Sequence, residues 1–134
     1  ENELPSIWAL DVSKGGDFCY LSQQEQAQQE QEVVLWRSDM SEPDTLKIEI
    51  EVATDKFEEV AKVVFRRNTN TRPWPSKKVE LAPGVYMMNI GSAYNKVTVH
   101  QVPENEADKA KWMEDQGCTQ QAKMYQPKVA DKSL

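Results

Sequence analysis

Leu46, Ile48, Ile50 and Val52 alternate with Lys47, Glu49 and Glu51, so every second side chain is assigned to a core and the intervening charges to water. That two-residue period predicts a strand, and it is the clearest signal in the chain. Shorter runs of the same kind predict strands over 7–12, 18–21, 33–36, 61–66, 78–81, 85–90 and 96–102. Turn-forming residues separate them at roughly the 8–12-residue spacing of a sandwich or barrel. Leu81-Ala82-Pro83-Gly84-Val85 places Pro and Gly where a type II turn needs them, which predicts an antiparallel hairpin between 78–81 and 85–90. Gly91 to Asn95 then returns the chain to 96–102, and Gly15-Gly16 reads as another turn.

No long amphipathic helix alternates with these strands, so a parallel α/β sheet is not expected. The glutamine-rich tract 23–31 offers only Ala27 as an apolar contact and reads as a solvated loop or a frayed helix. Asn105 is placed to cap a helix over about 104–117, with Glu106 and Asp108 in its first turn, Trp112 and Met113 as its packing surface and Gly117 as its stop. Residues 119–125 suggest a second short helix. The expected fold is therefore all-β: an antiparallel β-sandwich of about seven or eight strands, immunoglobulin-like or jelly-roll-like, with a C-terminal helix. The 134 residues suit one domain over 1–126, followed by a loose polar tail over 127–134.

Cys19 and Cys118 are the only two cysteines, and they stand near opposite ends of this span. A pair so placed predicts a single disulfide tying the helical end to an early strand, as found in oxidising compartments. In the chain-entropy picture, closing a loop of about 100 residues contributes roughly 4.7 kcal/mol. The expected location is periplasmic or extracellular, with Glu1 opening a mature form. The absence of an Asn-x-Ser/Thr sequon favours a bacterial envelope. A net charge of −6 argues against a nucleic-acid partner, which calls for clustered cations, and no apolar run is long enough to span a bilayer.

Catalytic chemistry has little to draw on. His100 is the only histidine, so a multi-histidine metal site is excluded and any nucleophilic triad has one candidate base. Its alternation with Val97 and Val99 places it on the water-facing side of its strand, beside Lys96 and Thr98. A disulfide would remove both thiol nucleophiles. Glu58-Glu59 and Glu49/Glu51 read as solvated faces, Gly15-Gly16 lacks the lysine of a phosphate loop, and Asp39, Glu42 and Asp44 lack calcium-loop spacing. No catalytic residue, metal or cofactor is expected.

Residues 66–78 stand apart. Arg66, Arg67, Arg72, Lys77 and Lys78 lie here without an acid among them, around Trp74 held between Pro73 and Pro75. Two readings of Trp74 stay open. In one, Arg66, Arg67, Arg72, Trp74 and Lys77 form an exposed partner-binding loop, since Trp and Arg dominate interface hot spots. In the other, Trp74 folds back to plug one end of the core. Trp8, Trp36 and Trp112 are expected in the core or docked on it. The function expected first is a non-catalytic protein-binding module of the envelope or exterior: an inhibitor, immunity protein or assembly accessory, with homodimerisation through an edge strand left open. A carbohydrate-binding module using Trp74, Tyr86 and Tyr94 as stacking rings is the alternative, and a small hydrolase comes last.

Overall fold

The computed structural model describes residues 4–125. In chain order the elements are β1 (Ala9–Asp11), β2 (Gly16–Tyr20), α1 (Gln23–Gln29), β3 (Val34–Trp36), β4 (Asp44–Ala53), β5 (Lys56–Phe65), β6 (Thr71–Pro73), β7 (Gly84–Ile90), β8 (Ala93–Gln101), α2 (Lys109–Asp115) and α3 (Thr119–Met124). The strands form a five-stranded sheet in the order β2-β8-β7-β4-β5 and a three-stranded sheet in the order β1-β3-β6.

Alternation decides which face of the large sheet is buried. Leu46 and Ile48 of β4 pair with Ile90 and Met88 of β7 and with Val63 and Ala61 of β5, so apolar side chains stack across neighbouring strands. Leu46, Ile48, Ala61, Val63 and Met88 join Leu10 of β1, Val12 just after it, Leu35 of β3, Phe18 and Tyr20 of β2 and Val97 and Val99 of β8 in one core cluster, with Ile90 packed against it. The opposite face keeps Lys47, Lys62 and Lys96 in water. The buried stripe stops earlier than the sequence pattern implies: Ile50 is half-buried and Val52 is 50% exposed. Bulges between Ile48 and Glu49 and between Glu51 and Ala53 break the register, and the β4–β5 hairpin end runs past the core.

The architecture is mostly β with two sheets of unequal size, and it departs from a simple antiparallel sandwich. β1 pairs with β3, and β2 with β8, in parallel. Strands of such distant sequence position have no hairpin to force an antiparallel arrangement, so their direction follows from how the chain crosses between the sheets. The segment 78–81 is not a strand, and the hairpin expected at Pro83-Gly84 does not form. Its backbone is claimed by side chains instead: the Trp74 indole donates to the Val79 carbonyl at 2.8 Å, while the Tyr86 hydroxyl donates to the Ala82 carbonyl at 2.7 Å and accepts from the Ala82 amide at 3.2 Å. The β7–β8 hairpin does form, with Ile90 opposite Ala93 and Gly91 at φ +60°, a value glycine adopts without strain.

The helices differ in detail from the sequence pattern. The glutamine tract is helical, capped by Ser22, whose hydroxyl accepts from the Glu25 amide at 3.2 Å, and it buries no residue. α2 starts at Lys109 rather than just after Asn105, because Asp108 is the working cap, accepting from the Lys111 amide at 3.1 Å. Residues 104–107 turn instead, and the Lys109 ammonium donates to the carbonyls of Glu104 and Glu106 at 3.0 and 3.1 Å. The second short helix is present as α3. The tail expected to be loose over 127–134 lies outside the described residues.

The two cysteines are joined, with Cα atoms 6.1 Å apart and a sequence separation of 99. Phe18, Cys19 and Tyr20 are all buried in the core cluster; alternation along β2 sets Cys19 on the face opposite Phe18 and Tyr20, and its link to Cys118 ties down α2 and α3 there. A second tie lies beside it. The side chain of Gln121 is buried; its Oε1 accepts from the Cys19 amide at 2.8 Å and its Nε2 donates to the Cys19 and Ile7 carbonyls, both at 2.8 Å. β2 is a margin of its sheet, and Gln121 supplies the two bonds that a neighbouring strand would otherwise make to Cys19.

Candidate interaction surface

The cationic segment is fixed from below by a residue the sequence pattern passes over. Arg37 follows the buried end of β3 and is itself 4% exposed. Its guanidinium lies 4.9 Å over the Phe65 ring and donates to three carbonyls: Nε to Thr69 at 2.9 Å, Nη1 to Glu42 at 2.7 Å and Nη2 to Arg66 at 2.9 Å. Each of the three guanidinium nitrogens thus donates to backbone, which holds a buried cation without a carboxylate. Backbone bonds from Arg37 to Asn70 at 3.0 Å and from Asn68 to Met40 at 2.8 Å complete the brace, and Asn68 takes the left-handed φ of 67° that the bend needs. A lone arginine after an apolar run gives no signal in sequence that distinguishes this role from a solvated one.

Further along, β6 pairs with β3 through Thr71, Arg72 and Pro73, and the chain then turns inward at Trp74. That ring is 7% exposed and meets Tyr86 edge-on at 5.8 Å between centroids. The plug reading of Trp74 is therefore the one the geometry matches. Trp74 is not the exposed ring of a recognition loop, because its side chain is buried and its indole N–H is bonded to the Val79 carbonyl. Arg66, Arg67, Arg72, Lys77 and Lys78 are exposed around it. Arg67 pairs with Glu42 at 3.3 Å and donates to the Ser41 carbonyl at 3.3 Å, both at the surface. Arg66, Arg72, Lys77 and Lys78 make no ion pair among the described residues.

No family model, curated protein or solved structure matches this chain.

The other candidate chemistry is dispersed. Tyr86 is buried and Tyr94 is 64% exposed, so of the three rings considered for sugar stacking only Tyr94 is available. Trp8 lies in the core cluster, Trp112 packs against it from α2, and Trp36 is buried at the end of β3. His100 is more covered than a freely solvated strand histidine: its Nε2 lies 2.8 Å from Asp17 Oδ1 across the β2–β8 pair. Asp17 in turn touches Gly117, where a Cβ would stand 2.5 Å from Asp17 Oδ2 and where φ is +98°. The imidazole–carboxylate pair thus sits against the chain reversal that delivers Cys118. Both thiols are consumed in the disulfide.

Further polar contacts join elements far apart in sequence. Lys109 and Glu25 pair at 3.5 Å with both side chains largely covered, which joins α1 to the start of α2. The single Tyr20 hydroxyl proton is shared between two acceptors, Gln101 Oε1 at 3.1 Å and the Leu81 carbonyl at 3.4 Å. Burial, helped by neighbouring Tyr86 and Glu80, pushes its phenol up to about 12. A cleft of about 450 Å³ between β1, β2 and α3, lined in part by Leu10, Phe18, Gln121 and Met124, shares no residue with 66–78.

Proposed function

We propose that this protein is a non-catalytic protein-binding module of an oxidising compartment, periplasmic or extracellular, whose docking surface is the exposed cationic segment carrying Arg66, Arg67, Arg72 and Lys77. The observation that carries this reading is the contrast between those side chains and their support. The cations stand in solvent, yet the backbone beneath them is held by the buried Arg37 fork at one end and the Trp74 plug at the other. Binding costs less ordering entropy when the loop is already braced, and an acidic partner face meets a local cation excess on a chain whose net charge is −6. The disulfide supports the compartment, since such links persist where thiols are not kept reduced. Within this reading the apolar anchor expected of Trp74 is absent, so charge steers the encounter and Arg72 and Lys77 act chiefly on association rate.

The carbohydrate-binding alternative needs two or more rings on one exposed face, and burial of Trp74 and Tyr86 leaves it with Tyr94. The test of the protein-binding reading is capture from a bacterial envelope extract on the immobilised protein, alongside an Arg72→Glu/Lys77→Glu variant of unchanged melting temperature. The expected result is a stoichiometric partner retained by the parent and lost by the variant, with retention falling as salt rises. Equal capture by the two proteins, or no partner for either, would overturn it.

A further inference from the structure

β5 forms one margin of the five-stranded sheet, and the side of it away from β4 pairs with no strand among the described residues. Its ten residues leave a row of backbone donors and acceptors open, which is a template for a further strand. A bulge and charged side chains ordinarily guard such an edge, and β5 has both. Here their positions create a complement to the same strand running backwards.

Val60 is the extra residue of the bulge, since Ile48 faces Ala61 while the next β4 residue, Glu49, faces Glu59. Alternation is therefore offset once, and Phe57, Glu59, Lys62 and Val64 all fall on the solvent face, opposite Glu51, Glu49, Lys47 and Thr45 of β4. Along the strand the order is apolar, acid, base, apolar. Read in reverse it is apolar, base, acid, apolar. With the bulged Val60 taking no place in the ladder of either copy, an antiparallel copy related by a two-fold axis at Ala61 sets Glu59 against Lys62 of the second chain and Phe57 against its Val64, and the symmetry makes each contact twice. Moving the axis one position either way instead sets Lys62 against Lys62 or Glu59 against Glu59, so charge selects this register over its neighbours.

We infer that the occupant of this edge is a second copy of the chain, joined through β5 to give a continuous sheet across the two-fold axis. Val64, 54% exposed on the solvent face, gains an apolar neighbour in that arrangement. Lys62 and Glu59 are free to take it up: their contact within one strand is 3.9 Å long, and the side chains are 58% and 41% exposed.

Sedimentation velocity over a concentration series reaching about 1 mM reads the association, the upper limit being where a weak edge contact still registers. The parent protein is expected to shift from monomer to dimer. Lys62→Glu and Glu59→Lys each turn two symmetric attractions into repulsions and are expected to weaken dimerisation about tenfold. The Glu59→Lys/Lys62→Glu double variant restores the complement and is expected to dimerise as the parent does, with circular dichroism showing all three variants folded. A parent that remains monomeric throughout overturns the inference, as does a dimer indifferent to the single reversals or one that the double variant fails to restore.

Discussion

Replacing Gln121 by Leu tests whether a side chain can stand in for a strand at the margin of the large sheet. The change keeps most of the buried volume and deletes three hydrogen bonds of 2.8 Å: the one accepted from the Cys19 amide and those donated to the Cys19 and Ile7 carbonyls. Cys19 is fully buried, so its amide is left without a partner or water. An orphaned buried backbone group costs about 1–3 kcal/mol, and the donor suffers more than the carbonyls, which keep a second lone pair. Counting the amide in full and the carbonyls in part gives a destabilisation of about 3 kcal/mol. For a domain of this size that lowers the melting temperature by roughly 10 °C. Gln120→Leu is the matched control: this adjacent residue is exposed, and among the described residues its side chain makes only a 4.0 Å approach to the Met124 sulfur as a hydrogen bond, so the change is expected to cost under about 0.5 kcal/mol. Urea unfolding of both variants with the disulfide intact gives the comparison at constant m-value. If Gln121→Leu unfolds within about 0.5 kcal/mol of Gln120→Leu, the amide is not acting as a strand surrogate and the argument fails.

Trp74→Ala empties the buried site against Tyr86 and frees the Val79 carbonyl, so it should cost about 3–5 kcal/mol in thermal or chemical unfolding; a loss below about 1 kcal/mol would show that the ring is not a plug. Joint replacement of Cys19 and Cys118 by Ser should cost about 2–5 kcal/mol, and intact mass after alkylation without reductant should show no added label on the parent protein. The Tyr20 phenol is raised from its ordinary value of 10.0 to about 12, so the folded state favours its neutral form: that contribution is fully present below pH 10 and is lost as pH rises toward about 12. Tyr20→Phe, which cannot ionise, should flatten the fall in melting temperature across that window, and an unchanged slope would refute the assignment.

The alternation in β4, the β7–β8 turn at Gly91 and the pairing of two isolated cysteines are all written in residue order, and each could be read because its cause is local or admits no rival. Leu46 and Ile48 are buried where the two-residue period puts them. Cys19 had no other thiol to choose. What the sequence could not determine depends on which distant groups meet. The bulge at Val60 and the exposure of Val52 follow from where the core ends, and the parallel pairing of β2 with β8 follows from a chain crossing that leaves no mark on either strand. The Pro83-Gly84 hairpin does not form although the groups that hold the segment before it are close in sequence: the Trp74 indole bonds the Val79 carbonyl and the Tyr86 hydroxyl bonds Ala82, and both rings reach them only because each is turned into the core. The cationic segment shows the division most plainly. Its charges were visible in residue order, but only the tertiary structure turns Trp74 inward and brings Arg37 beneath the carbonyls of Arg66 and Thr69. A buried polar group is held by partners far away along the chain, and no local period records where they are.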